Sequence, residues 1–309
     1  MTISREDMIF DLSLIWSSVK EEFPYFDRIP FDWDEQYRNY LRKILYVSDE
    51  REFHQLLTEL MESLNDGHTK YIPPKGFRKV TPIIRPDKPS FTINKGVLTI
   101  KLNEFLMDHS TYVRERLEAA PDVSLVRLDI RDNIGGNTYY AAKVAQIFIS
   151  GEIRGCQKWT QIRNAAEAAG ASQIVSDGEE QIQRYIRDGL ITETTVFNAK
   201  AVMQRTKYDH YTDSYGAKDH VAVYQGPLEI LISKRTASAA EDFAAMFKSN
   251  HRGTLIGEAT CGSTGTPYMI PLRCGGRAQV VSVGYRLLDG TEFIGKGIMP
   301  DIVGETAAL

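Results

Sequence analysis

Leu228-Glu229-Ile230-Leu231-Ile232 is an apolar run of strand length. It passes through Ser233-Lys234-Arg235 into Thr236-Ala237-Ser238-Ala239-Ala240-Glu241, and Phe243, Ala244 and Phe247 follow at helical spacing. A buried strand that turns directly into a helix is the repeating unit of an α/β domain. The same signature occurs upstream. Val123 to Ile130 is nearly continuous in apolar residues, broken only by Ser124, Arg127 and Asp129, which suits a strand covered on both faces. A helical pattern in Ala141, Val144, Ala145 and Phe148 comes after it. Phe91-Thr92-Ile93, Asn94-Lys95-Gly96 and Val97-Leu98-Thr99-Ile100 read as strand, turn and strand, and Thr254-Leu255-Ile256 and Val280 to Leu288 as further strands. The fold class is α/β.

The first seventy residues are helical in pattern. Met8, Leu12, Ile15 and Val19 form one stripe, Ser4 with Asp7 makes a cap, and Pro24 stops the helix. Tyr37, Leu41, Ile44 and Leu45 mark a second helix. A third begins near Ser48 and carries Phe53, Leu57, Leu60 and Leu64. Pro73, Pro74, Pro82, Pro86 and Pro89 then mark an irregular linker. The expected organisation is an N-terminal helical subdomain over 1–72 and a core over 73–309. Within the core, the polar stretch 151–226 reads as a lid-like insertion with two helices, near 162–168 and 179–187, and few β-rich runs.

Composition narrows the function. The 309 residues carry 37 Lys and Arg against 41 Asp and Glu, a net charge of −4, so nothing in the balance points to nucleic acid or an anionic membrane. No apolar run approaches the ~20 residues of a membrane span. Residues 1–7 lack a basic segment followed by an apolar one, which gives a cytoplasmic expectation for the chain as it stands. Cys156, Cys261 and Cys274 form neither a disulfide framework nor a zinc pattern, and the six histidines lack H-E-x-x-H spacing. No metal or organic cofactor is expected, and the oligomeric state is not legible.

Four segments carry candidate chemistry. Ser238 at a strand-to-helix turn places a hydroxyl where the helix N-terminus favours negative charge, and Ala239 N–H is a ready oxyanion donor. S-x-x-E is equally a capping box made by Ser238 and Glu241. Gly135-Gly136, after Asp129-Ile130-Arg131, offers bare N–H groups for a second donor, or an ordinary turn beside an Asp129–Arg131 ion pair. His68, in Leu64-Asn65-Asp66-Gly67-His68-Thr69, is a base of suitable pKa or a loop residue. Glu292, in the loop from Gly290 to Asp301, could orient an imidazole or simply face solvent.

Taken together, L-N-D-G-H-T from Leu64, D-I-R-D-N-I-G-G from Asp129, T-A-S-A-A-E from Thr236, L-I-G-E-A-T-C-G from Leu255 and G-K-G-I-M-P-D from Gly295 resemble the tail-specific (C-terminal-processing) serine peptidase family. That family includes the tricorn core protease and the interphotoreceptor retinoid-binding modules. The resemblance spans about 60–302 and implies a crotonase-like β/α spiral core acting on peptide or protein substrates. It implies Ser238 as nucleophile, His68 as base, Glu292 as orienting acid, and an oxyanion hole from Ala239 with Gly135 or Gly136. Ser263 stands where the bacterial processing branch has its Lys base, so the proton falls to His68. Gly67 stands where the tricorn-like branch has a Ser. The short stretch between Tyr71 and Phe91 is too small for the PDZ domain of many relatives. The retinoid-binding relatives supply the alternative, a non-catalytic module for an apolar ligand or peptide. Hydratase chemistry is disfavoured, since no paired carboxylates or coenzyme A site can be located.

Overall fold

The computed structural model describes residues 3–78, 87–160, 178–187 and 210–304. The described helices are α1 (Arg5–Glu22), α2 (Trp33–Ile44), α3 (Glu50–Glu62), α4 (Ser110–Glu118), α5 (Thr138–Ala145), α6 (Glu179–Arg187) and α7 (Ala239–Ser249). The strands are β1 (Lys70–Ile72), β2 (Ser90–Asn94), β3 (Val97–Lys101), β4 (Leu125–Asp129), β5 (Ile153–Trp159), β6 (His210–Tyr215), β7 (Leu228–Ile232), β8 (Thr254–Gly257), β9 (Pro267–Pro271), β10 (Arg277–Val281), β11 (Gly284–Arg286) and β12 (Ile302–Val303). The chain divides into two units. One comprises Met1–Lys79, Lys158–Tyr211 and Thr266–Gly284, the other Val80–Gln157, Thr212–Gly265 and Tyr285–Leu309.

The first unit contains the three N-terminal helices. Each is started by a short polar side chain taking an otherwise unpaired N–H: Ser4 from Asp7 (3.1 Å), Asp32 from Glu35 (2.8 Å) and Asp49 from Glu52 (2.9 Å). Ser48, the expected start of the third helix, instead donates its N–H and hydroxyl to the Glu52 carboxylate. Met8, Leu12, Ile15 and Val19 are buried as their spacing predicts, as are Phe53, Leu57 and Leu60. Asp11 lies among the buried residues of α1 and accepts the backbone N–H groups of Arg273 (2.8 Å) and Cys274 (2.9 Å). Those residues follow β9, which pairs antiparallel with β10, and β10 with β1.

The second unit holds a six-stranded sheet of order β12-β8-β7-β4-β3-β2. Only β2 and β3 are antiparallel, joined by the expected Asn94–Gly96 turn. The others run parallel, with Lys101 beside Asp129, Asp129 beside Leu231, and Leu231 beside Ile256. Leu98, Ile100, Val126, Leu128, Ile230 and Leu255 fill its core, and α5 packs on α7. Because the strands are parallel and in register, the loops leaving β3, β4, β7 and β8 emerge at one edge, where α/β sheets place ligands.

Two expectations are corrected. Val280 to Leu288 is not one strand: β10 ends at Val281, its last pair with β9, and β11 begins at Gly284. The apolar pattern continues across Ser282 without a turn signal, so it did not mark the exit. The 151–226 stretch contains β5 and β6, missed because Arg154, Gly155, Gln157 and Lys158 dilute the β-formers of one and Asp213 and Ser214 those of the other. Of its two expected helices, 179–187 is α6, and 162–168 lies outside the described residues. No helix among the described residues is long and apolar enough to cross a membrane.

Candidate active site

Ser238 is the residue before α7 and has φ +58°, ψ −129°. Among the described residues, the other side chains that cap helices have ordinary extended backbones: Ser4 at −72°, 157°, Asp32 at −76°, 124°, Asp49 at −149°, 169° and Asn137 at −100°, 118°. A serine that only caps a helix needs that extended geometry. A positive φ at a non-glycine residue carries strain and persists only where the surroundings impose it. Here they do. Ser238 N–H donates to Ser263 O (2.8 Å) and, more weakly, to Glu241 Oε2 (3.3 Å). Ala237 N–H donates to Asn133 O (3.0 Å), and the Thr236 hydroxyl to Ile130 O (2.9 Å). Cys261 N–H donates to Thr236 O (2.9 Å).

The glycine turn after β4 is packed against this strained residue. Gly135 has φ +95°, and a Cβ there would lie 2.6 Å from Ser238 Cβ, 2.7 Å from Ala237 O and 2.9 Å from Ala239 N. Its N–H donates to Asn133 Oδ1 (2.9 Å), so it is committed within the turn. The N–H groups of Gly136 and Ala239 donate to no acceptor among the described residues. Of the two candidate glycine donors, the uncommitted one is therefore Gly136. Its backbone bridges to Phe105 in the loop after β3. The Asp129–Arg131 pair is also present, with Arg131 Nη2 2.7 Å from Asp129 Oδ2, so the turn is structurally braced as well. We expect Gly135→Ala to lower the melting temperature, with about 2 kcal/mol lost through positive φ and overlap. It should also slow modification of Ser238, because relief of the overlap has to displace Ala237 or Ala239. Unchanged melting and reactivity would mean that the turn is loose.

Two carboxylates on α7, Glu241, which the sequence offered only as half of a capping box, and Asp242, brace the candidate site from within. Glu241 is fully buried. Its oxygens accept from the Thr260 hydroxyl (2.5 Å), Gly262 N–H (2.7 Å) and Ser263 N–H (2.7 Å), besides Ser238 N–H. Burial pushes its pKa up to about 7, against the downward pull of the Thr260, Gly262 and Ser263 bonds, and neighbouring Asp242 raises it further. Asp242 accepts the hydroxyls of Thr138 (2.6 Å) and Thr264 (3.0 Å), tying the start of α5 and the loop after β8 to α7. The signal was present in the sequence: two adjacent acids in an otherwise apolar first turn, Ala239-Ala240-Glu241-Asp242-Phe243, are on a helix too apolar to be exposed.

Glu292 is half-buried in the loop after β11. That loop joins the same network, since Gly295 N–H donates to Gly262 O (2.7 Å) and Ile298 N–H to Thr260 Oγ1 (2.7 Å). The structure thus brings Ser238, Ala239, Gly135 and Gly136 together and ties the Glu292 loop to them. His68 belongs to the first unit. Its N–H donates to Asp66 Oδ1 (3.0 Å), and its carbonyl accepts from Gln279 Nε2 (2.7 Å), which anchors it to β10. Burial lowers its pKa below the ordinary 6.5, with Asp66 opposing the shift and Lys70 adding to it. A lowered pKa keeps the ring neutral at physiological pH. Lys234 and Lys296 are exposed.

The profile of peptidase family S41 matches residues 96–303, and that of the tricorn protease C1 domain residues 6–62. The chain belongs to peptidase family S41. The S41 match contains the turn after β4, the Ser238 turn and the Glu292 loop, while the C1 match covers α1 to α3. A carboxy-terminal-processing protease of Bartonella bacilliformis is 29% identical over 115 residues, 37% of this chain and 26% of that protein. The chloroplastic carboxyl-terminal-processing peptidase 2 of Arabidopsis thaliana is 26% identical over 204 residues, 65% of this chain and 30% of that protein. The S41 chain thus spans less than a third of either curated relative. Mature CPAF complexed with lactacystin shares the fold at a TM-score of 0.72 and 11% identity, covering 97% of this chain and 94% of that one. The photosystem II D1 C-terminal processing protease does so at 0.59 and 15%, covering 99% and 94%.

Proposed function

We propose that this S41 chain is a serine peptidase that cleaves peptide bonds through an acyl-enzyme on Ser238. The observation that carries the reading is the Ser238 backbone, held at φ +58° at the start of an apolar helix with Gly135 packed against it. Capping does not require this, whereas a nucleophile presented at a sharp strand-to-helix turn does. Membership of a peptidase family agrees.

In this mechanism Ser238 Oγ attacks the scissile carbonyl carbon, and His68 takes the hydroxyl proton. The carbonyl oxygen becomes an oxyanion and is received by the N–H groups of Ala239 and Gly136, aided by the α7 dipole. The C–N bond breaks as His68 returns the proton to the leaving amine. Water, activated by the same imidazole, then releases the acyl group and regenerates the hydroxyl. Glu292 orients the imidazole. We read the core as a crotonase-like β/α spiral preceded by a helical subdomain, and the substrate as a peptide or protein.

A fluorophosphonate probe tests this directly. Mass spectrometry of the tryptic digest is expected to place the adduct on Ser238, with the rate rising as pH rises through the His68 ionisation. A protein that stays unlabelled from mildly acid to alkaline pH would instead be the non-catalytic module.

A further inference from the structure

The loop after β3 and the turn after β4 display apolar side chains for which the chemistry above has no use. Leu106 is 62% exposed, Met107 66%, Ile134 55% and Tyr139 48%. They share one place. Phe105 N–H donates to Gly135 O (2.7 Å) and Asn137 N–H to Phe105 O (2.9 Å), so two backbone segments meet at Gly136. Leu106 and Met107 follow the meeting point on one segment. Ile134 and Tyr139 lie within three residues of it on the other. A Cβ at Gly136 would overlap the backbone of Phe105 and Leu106, which shows how closely the two approach.

This display is built rather than loose. Glu104 is buried and accepts the N–H groups of both Leu106 and Met107, the latter at 3.1 Å. Its other oxygen is 2.6 Å from Nε2 of buried His109. Lys143 Nζ bonds Asp108 (3.0 Å), joining the loop to α5. Phe105 itself is fully buried against Phe243, ring centroids 5.1 Å apart. A buried acid thus holds a turn whose outward residues are apolar, and large apolar side chains held exposed on a fixed backbone beside a candidate site fit a binding surface. Between the two apolar pairs lies Gly136, whose N–H donates to no acceptor among the described residues. A peptide whose scissile carbonyl oxygen reaches that N–H brings its neighbouring side chains onto this surface.

We infer that Leu106, Met107, Ile134 and Tyr139 form the surface that selects the substrate, so that cleavage falls within two residues of a large apolar side chain such as Leu, Ile, Met or Phe. The inference rests on the peptidase reading of Ser238. The probe is a library of peptides from a digested proteome, incubated with the full chain, with new termini identified by mass spectrometry. Cuts by the unmodified protein are expected to be enriched in large apolar residues near the bond. The ratio of apolar to polar sites is expected to fall by about tenfold in Leu106→Ser/Met107→Ser, the size of effect that apolar contacts give in selectivity. Leu106→Met/Met107→Leu is expected to keep the ratio. Enrichment that persists in the folded serine variant overturns the inference. So does a library cut without apolar preference by a protein whose Ser238 labels with fluorophosphonate, and in that case the peptidase reading stands; a library left uncut overturns both readings. If Ser238 neither labels nor cuts, both readings fall together.

Discussion

Ser238→Ala and His68→Ala are each expected to lower turnover by about ten-thousand-fold or more, with the double variant no worse than either. In the proposed mechanism the two form one unit, because the hydroxyl is a poor nucleophile until His68 takes its proton. His68 suits the role by its setting. Burial outweighs Asp66 and lowers its pKa, so the neutral, proton-accepting ring predominates at neutral pH. A lysine base needs a much stronger form of the same effect, a dry pocket that strips its charge. Lys234 and Lys296 are both exposed. Lys234→Ala and Lys296→Ala are therefore expected to retain most activity. The measurement is kcat on a peptide substrate, with circular dichroism to show that each variant folds. An active His68→Ala beside a dead lysine variant would mean that the base has been misassigned.

The elements that decide the fold were legible because they are extreme. The β4 and β7 segments are apolar on both faces, and α1 and α3 repeat apolar residues with helical spacing, so burial follows from pattern alone. The β10–β11 break and the strands β5 and β6 were not legible, since their alternation is either uninterrupted where the chain turns or diluted by polar residues. The site divides in the same way. Ser238, the glycine pair and their strand-to-helix setting could be read from local chemistry. The division of labour within the glycine pair could not, because it depends on Asn133 Oδ1 capturing the Gly135 N–H. Nor could the partners of Glu241, which come from residues 19 to 22 positions further on. A capping box accounts for that glutamate locally and so conceals its long-range role.

Glu241→Gln is expected to cut kcat by about a hundredfold, the cost of displacing a reacting group by a fraction of its working distance. The carboxylate's partners are all donors: the Thr260 hydroxyl and the N–H groups of Gly262, Ser263 and Ser238. A glutamine keeps the shape but replaces one acceptor oxygen with an NH2. Whichever way the amide turns, it faces a backbone N–H of Gly262 or of Ser263. That N–H loses its partner in a buried site, at a cost of about 1–3 kcal/mol. Ser263 is also the residue whose carbonyl holds Ser238 N–H, so the disturbance passes to the nucleophile. Protonation of Glu241 has the same effect as the amide. Its pKa is raised from 4.5 to about 7, so the native state holds this proton more tightly than the unfolded chain. The contribution of Glu241 to stability is thus highest below the unfolded value and falls as pH rises through that interval. Activity, needing the ionised form, moves in the opposite direction. In the unmodified protein, log kcat/KM is expected to fall with slope one below about pH 7 and to steepen to two once His68 is also protonated. Glu241→Gln is expected to show only the His68 limb and a flatter dependence of melting temperature on pH. An acid limb unchanged by the substitution would reduce Glu241 to a helix cap.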